Sequence, residues 1–376
     1  MRFKTVDDFN FKGKRVLLRA DLNSPIQGRR VILNDRIIES AKTIRELIGK
    51  GAAVTVIAHQ GQNGKSDFIS LEQHGKLLNK FVKIKFVKDI IGEKAKQEIE
   101  RLGFGEALLL DNVRFEKDEF KPSMNNKIAR AFRGKFDFYV NDAFSVCHRK
   151  QTSIVVLPKL FKSCIGRTMQ REVESLEKIK IKNCLYILGG EKVEDLVPLL
   201  NRKKMLTGGI LSLVYLKAKG YNLGEQEKVM KDKFKIISKI KNLGSAEIPR
   251  DLVIDVDGKK RRINVDELPI KYRIYDIGKK TAKIYSEEIR KAKTIFMKGP
   301  MGHCERGFTE GTRAVLQAIA KAGGFSVIGG GHTASEIKRF GLSRNDFGYV
   351  SLSGGATLDF IAGKKLPGLE ALKSRS

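Results

Sequence analysis

In the first half of the chain, four groups of polar residues each follow an apolar run, and their types point to anion chemistry. Asp21-Leu22-Asn23 follows residues 14–20 (KRVLLRA), and His59-Gln60-Gly61-Gln62 follows residues 53–58 (AVTVIA). Asp111-Asn112-Val113-Arg114 follows residues 107–110 (ALLL); Asn141-Asp142-Ala143-Phe144 follows residues 136–140 (FDFYV) and leads to His148-Arg149. Arg19 and Arg36 flank the first group. A guanidinium matches phosphate or carboxylate in a bidentate manner, so arginines and histidines gathered at one level suit a phosphorylated small acid. In the second half glycine takes the place of arginine. Gly189-Gly190 follows CLYIL, Gly208-Gly209 follows KMLT, Gly299-Pro300-Met301-Gly302 follows TIFM, and Gly329-Gly330-Gly331 follows FSVI. Glycine turns that open helices let backbone amides approach phosphates closely, so this half reads as a nucleotide site.

The elements that must position these residues are the apolar runs themselves. Continuous apolar strands belong to parallel sheets covered on both faces. Their alternation with amphipathic helical stretches predicts a doubly wound α/β architecture, in two copies. In such folds ligands sit beyond the carboxyl ends of the strands, where the polar and glycine groups fall. A charged helical stretch, SCIGRTMQREVESLEKI at 163–179, reads as the connector between the copies. The chain thus divides into a substrate lobe (1–162), the connecting helix, a nucleotide lobe (180–363) and a polar tail (364–376).

Composition excludes several classes. The 376 residues carry 73 Lys+Arg against 43 Asp+Glu, a net charge of +30. That excess is diffuse, +13 through Ile165 and +17 beyond it. A nucleic-acid binder concentrates its charge in a stripe, arm or basic helix with interleaved aromatics, so no nucleic-acid partner is expected. The residual effect is a general attraction for anions. No run reaches the ~18–20 apolar residues of a membrane span, and residues 1–10 lack a secretion signal, so a cytoplasmic chain without a membrane partner is expected. Cys147, Cys164, Cys184 and Cys304 form no C-x-x-C pair, which reads as reduced core thiols. Gly329 to Ala334 satisfies G-x-G-x-x-A but lies too near the end for a dinucleotide unit. Gly64-Lys65-Ser66 lacks the first glycine of a P-loop, since His59 stands there.

Taken in order, these segments resemble phosphoglycerate kinase along essentially the whole chain. The resemblance rests on RVLLRADLNSP, NDRI, AHQGQ, LLDNVRFEKDE and NDAFSVCHR in the first half. ILGGEKVED, KGPMGHCERGF, IGGGHTAS and SGGATLDFIAGKKLPG carry it in the second. It implies two Rossmann-like three-layer αβα lobes with mainly parallel sheets, joined by a hinge helix, with the tail returning to the first lobe. The implied reaction is reversible phosphoryl transfer between 1,3-bisphosphoglycerate and ADP, giving 3-phosphoglycerate and ATP, with Mg2+ and lobe closure, in a monomer. By motif, Arg19, Asp21, Leu22, Asn23, Arg36, His59, Gln60, Gly61, Gln62, Arg114, His148 and Arg149 would hold the substrate. Gly189, Gly190, Lys192, Lys298, Gly299, Pro300, Glu305, Gly330, Gly331, His332 and Thr333 would hold the nucleotide. Arg36 and Lys192 would be catalytic.

The sequence departs from the family pattern at several of these positions. Gln62 stands where arginine is usual and Gln151 where a second histidine is often found. His332 replaces the aspartate that ligates magnesium, and imidazole is a poor ligand for that oxygen-seeking ion. Histidine there resembles the archaeal-type branch of the family, and Asp195 is the carboxylate left to meet the metal. Leu196 occupies the position of a second lysine, while Lys298 replaces an asparagine and would restore that charge. Two other readings are a basic nucleic-acid-binding protein and a kinase-like metabolite binder with impaired turnover.

Overall fold

The computed structural model describes residues 3–179 and 183–373 and divides into two compact units. One comprises Met1–Glu174 with Lys364–Ser376, the other Ser175–Gly363.

The first unit is built on a six-stranded parallel sheet. Its order across the sheet is Lys85–Val87, Ala107–Leu110, Ala53–Ile57, Arg15–Arg19, Phe138–Asn141, Lys162–Ile165. Ala53–Ile57 and Ala107–Leu110 are buried at every position, as a strand covered on both faces requires. The chain runs outward from Arg15–Arg19 in one direction and returns to pair on its other side through Phe138–Asn141. Arg19 is in register with Ile57 and with Asn141, so residues 20–24, 58–62 and 142–149 leave the sheet at one edge, beside this switch point. Helix Asp35–Gly49 follows the first strand. Asn34 caps it by accepting the Ile37 amide, and Ile37, Ala41, Ile44 and Leu47 bury one face in the core at helical spacing.

The second unit repeats the plan in the order Ala246–Glu247, Met205–Thr207, Cys184–Leu188, Thr294–Lys298, Phe325–Gly329, Tyr349–Ser351. Lys298 is in register with Leu188 and Gly329, which brings the glycine turns to one edge. An antiparallel sheet of Lys259–Asn264, Asp251–Val256 and Ile274–Ile277, invisible in the apolar pattern, lies between the second and fourth of these strands along the chain. Two mainly parallel sheets with flanking helices confirm the predicted class.

The connector differs from expectation. Residues 163–165 complete the strand Lys162–Ile165, paired with Phe138–Asn141, and the helix begins only at Arg167. Gly166 makes the break: a β-carbon there would collide with Asp142, whose carboxylate accepts the Met169 amide at 2.9 Å. The tail is less polar in its packing than in its composition. Helix Pro367–Lys373 buries Leu369, Ala371 and Leu372, and the Gly368 amide donates to the Cys147 carbonyl at 2.9 Å in the first unit. All four cysteines are free and buried, and burial pushes the Cys147 thiol up to about 12.

Candidate active site

At the sheet edge of the first unit, arginines are held by buried side chains and by backbone carbonyls. Arg19 is fully buried at the end of its strand; its Nε donates to Ser153 Oγ at 3.0 Å and its Nη1 to the Ala20 carbonyl at 2.7 Å. Ser153 Oγ in turn donates to Glu119 Oε1 at 2.6 Å, and the Ser153 amide to Oε2 at 2.9 Å. Burial raises the Glu119 carboxyl, which Arg19 opposes. Arg19 Nη2 lies 3.2 Å from His59 Nδ1. A guanidinium can only donate, so His59 accepts at Nδ1 and carries its proton on Nε2. Burial, then Arg19, Arg114, Arg36 and Arg149, hold His59 well below the usual histidine range, so it is neutral. Four guanidiniums thus act on one imidazole.

Arg114 is nearly fully buried and only partly satisfied. Its Nη1 donates to the Gly61 carbonyl at 2.5 Å, while Nε and Nη2 are buried with no partner among the described residues. Burial, with Arg19 and Arg149 beside it, lowers its pKa to about 10. Arg36 donates to Asp21 Oδ1 at 3.0 Å, and Arg149 Nε to His148 Nε2 at 3.4 Å. Orphaned donors of this kind cost free energy unless an acceptor arrives, and what suits them is an anion.

Other residues of the same motifs build the frame. The Gln60 side chain is spent internally: Oε1 accepts from the Ser24 amide at 2.8 Å and from His74, and Nε2 donates to the Ser24 carbonyl. Leu22 packs its side chain in the core, which leaves its backbone to face the sheet edge. The Gly61 amide donates to Asn23 Oδ1 at 2.8 Å, and with φ at +68° a β-carbon on Gly61 would meet the Asp67 carbonyl at 2.2 Å. Gln62 is exposed beside this turn. Glu119 and Ser153, which the motif reading passed over, complete the Arg19 relay; Glu119 stood inside LLDNVRFEKDE, and only its burial marks it.

The edge of the second unit is built from backbone packed on backbone. The Gly189 amide donates to the Lys298 carbonyl, Gly190 to Pro300, and Gly209 to Met301, at 2.7 to 2.8 Å. A β-carbon on Gly189 would lie 2.3 Å from the Pro300 carbonyl oxygen, and one on Gly299 2.1 Å from that of Gly189. These glycines are therefore required by one another, whatever else they contact. Gly330, with φ at +99°, precedes helix Gly331–Arg339, and the space at Gly331 is open. Thr333 is buried and accepts the Gly299 amide at 3.2 Å; the side chain of His332 lies outside the described residues. Lys192 and Asp195 are exposed on the turn after Cys184–Leu188, and Leu196 beside them is buried in the opposite sense. Glu305 is exposed, 3.8 Å from His303. Lys298 is half-buried, and the partial loss of solvent lowers its pKa.

The model of one family, described as phosphoglycerate kinase, matches residues 6–364. The chain belongs to the phosphoglycerate kinase family. Among the curated phosphoglycerate kinases, that of Methanothermus fervidus is 37% identical, covering 99% of this chain and 97% of its own. That of Sulfurisphaera tokodaii is 39% identical, covering 99% and 96%. The crystal structure of phosphoglycerate kinase from Pyrococcus horikoshii superposes with a TM-score of 0.90 at 34% identity, over 98% of each chain. As a phosphoglycerate kinase the chain is a phosphotransferase, and its reaction joins 1,3-bisphosphoglycerate and ADP to 3-phosphoglycerate and ATP.

Proposed function

We propose that the arginine cluster of the first unit holds the phosphorylated acid and that the glycine turns of the second hold the nucleotide. The observation that carries the first half is Arg114, whose buried Nε and Nη2 have no partner among the described residues. Arg19, His59, Arg149 and His148 supply further donors, Asp21 orients Arg36, and Asn23 fixes the Gly61 turn. An acyl phosphate is already activated, so transfer needs positioning and charge neutralisation more than a nucleophilic side chain. Arg36 and Lys192 neutralise the phosphoryl group from the acid and nucleotide sides, which requires the two bound substrates to be brought together with water excluded.

Gly330, Gly331 and Thr333 meet the nucleotide phosphates, with Gly189, Gly190, Gly299 and Pro300 shaping the floor beneath them and Glu305 serving the nucleoside. Among the described residues no three His, Cys, Asp or Glu side chains converge on a metal position. That suits magnesium brought in on nucleotide phosphates, with Asp195 as its protein carboxylate, and not a resident ion in a cage. The ion would supply charge neutralisation at the phosphates. The enzyme acts as a cytoplasmic monomer. No helix among the described residues is long and apolar enough to cross a membrane. Coupled measurement of ATP formation from 1,3-bisphosphoglycerate and ADP tests the whole: magnesium-dependent turnover is expected, and binding of both substrates without turnover would overturn it.

A further inference from the structure

One cation of the second unit sits where its own neighbours do not account for it. Lys298 ends the strand Thr294–Lys298, between Leu188 and Gly329 in the sheet. Its Nζ lies 3.6 Å from the point where a β-carbon on Gly330 would stand and 3.9 Å from the same point on Gly354. At both points it is the one neighbour within 4 Å among the described residues beyond the adjoining chain. No acceptor or carboxylate of a described residue comes within bonding distance of the amine. The charges that act on it are Asp195, which favours the ammonium, and Lys192, which opposes it.

A half-buried ammonium with no acceptor among the described residues is costly, and two lysines facing a single exposed carboxylate leave positive charge in excess. Among the described residues, neither glycine turn brings a carboxylate to relieve it. The arrangement is unfavourable in the empty protein and becomes favourable when an anion lies over the turns. The amine borders the Gly330 and Gly354 turns and so would face an anion lying over them.

We propose that Lys298 is a catalytic residue, its ammonium contacting the phosphoryl group as it passes between the acyl phosphate and ADP. This rests on the placement of the nucleotide phosphates at the glycine turns. In the step, the bond from phosphorus to the carboxyl oxygen breaks and its electron pair leaves on the carboxylate of 3-phosphoglycerate. A β-phosphate oxygen of ADP supplies the pair for the new bond. Lys298 donates a hydrogen bond throughout and transfers no proton. Negative charge spread over the equatorial oxygens in the transition state makes that contact strongest there.

The test compares wild type, Lys298→Met, Lys298→Gln and Lys298→Arg by calorimetric binding of ADP and of ATP, and by single-turnover transfer. Both neutral variants should slow transfer by about 100-fold, weaken ATP by about 10-fold and leave ADP affinity within about threefold. Arginine should recover much of the rate. An unchanged transfer rate in either folded neutral variant overturns the proposal. Equal loss of ADP and ATP affinity with an unchanged rate also overturns it, because the amine then serves ground-state binding. Failure of the wild type to bind ADP would instead bring down the placement of the nucleotide, and this role with it. Retained ADP binding in Lys298→Gln shows that the fold survives, should Lys298→Met be lost.

Discussion

The two units share a sheet plan and hold their strand ends by different means. In the first unit the edge is organised by side chains: Arg19 to Ser153 to Glu119, Arg19 to His59, Asn23 to Gly61, Arg36 to Asp21. In the second it is organised by main chain, with Gly189, Gly190, Gly209 and Gly299 packed against Pro300 and Met301. A side-chain network is set by charge and hydrogen bonding and fails when a donor or a proton is changed. A glycine mesh is set by contact distance and fails when one carbon is added. The contrast also fits what each unit binds in the proposed function: a small acid that must be surrounded by donors, and phosphates that must be approached by amides.

The largest effect should follow from adding that carbon. Gly299→Ala places a β-carbon 2.1 Å from the Gly189 carbonyl oxygen, at a φ of +82°. The mesh cannot yield without breaking its own hydrogen bonds, so a loss of roughly 4 kcal/mol is expected, with ADP binding abolished. Gly331→Ala, where nothing lies within 4 Å, should stay within about 0.5 kcal/mol of wild type. Thermal unfolding of both variants checks this. Equal stability of the two would show that the mesh is not the organising device.

In the first unit the matching experiment removes donors. Arg114→Met deletes the orphaned Nε and Nη2 along with the bond to Gly61. A loss of about 100-fold in kcat/KM for 3-phosphoglycerate is expected, about 2.7 kcal/mol, with ADP affinity unchanged. Lysine should not rescue it, since a single ammonium cannot reproduce the guanidinium fork. Steady-state kinetics in the direction of ATP consumption reads the result.

The same contrast explains what the sequence disclosed. Eight of the parallel strands stood out as apolar runs because both faces are covered. Lys85–Val87 and Lys162–Ile165 did not, since each begins with an exposed lysine at a sheet edge, and the antiparallel strand Lys259–Asn264 is nearly all charged. Arginines and glycines at strand ends were legible by type and position. Gln60 and Leu22 were legible only as neighbours of such residues, and their side chains turn inward. Glu119 and Ser153 were not legible at all, because a buried relay is made by folding distant segments together, 34 residues apart in the chain.

Protonation should separate the units in a smaller, signed way. Asp276, buried in the second unit between Gly302 and Gly311, has its pKa raised to about 7 by burial despite accepting the Gly311 and Ile277 amides. Between its unfolded value and about 7 the folded state holds the extra proton, so its contribution to stability is present at low pH and lost as pH rises. His74 in the first unit is pushed down to about 4 by burial. There the unfolded state holds the extra proton between about 4 and 6.5, so that contribution is lost as pH falls. The stability differences of Asp276→Asn and His74→Gln from wild type should therefore slope in opposite directions between pH 4 and 7, by a few kcal/mol at most. Parallel slopes in thermal unfolding would refute the assignment.

The smallest effect tests whether the first unit's network is saturated with charge. Gln62 is exposed on the Gly61 turn, where a cation would approach the acid of the proposed function from solvent, whereas Arg114, bonded to the Gly61 carbonyl, would meet it from within. Four guanidiniums already act on His59 with Asp21 and Glu119 as the nearby carboxylates, so positive charge is in excess before any ligand arrives. A fifth, placed at the rim, gains only a screened attraction and loses side-chain entropy on docking. Gln62→Arg should lower KM for 3-phosphoglycerate by about two- to fivefold at low ionic strength, and by much less near physiological salt. A salt-independent gain of tenfold or more would place the missing contact inside the network. Turnover would then be limited by that position, and the buried relay through Arg19 would not be what sets the acid's affinity.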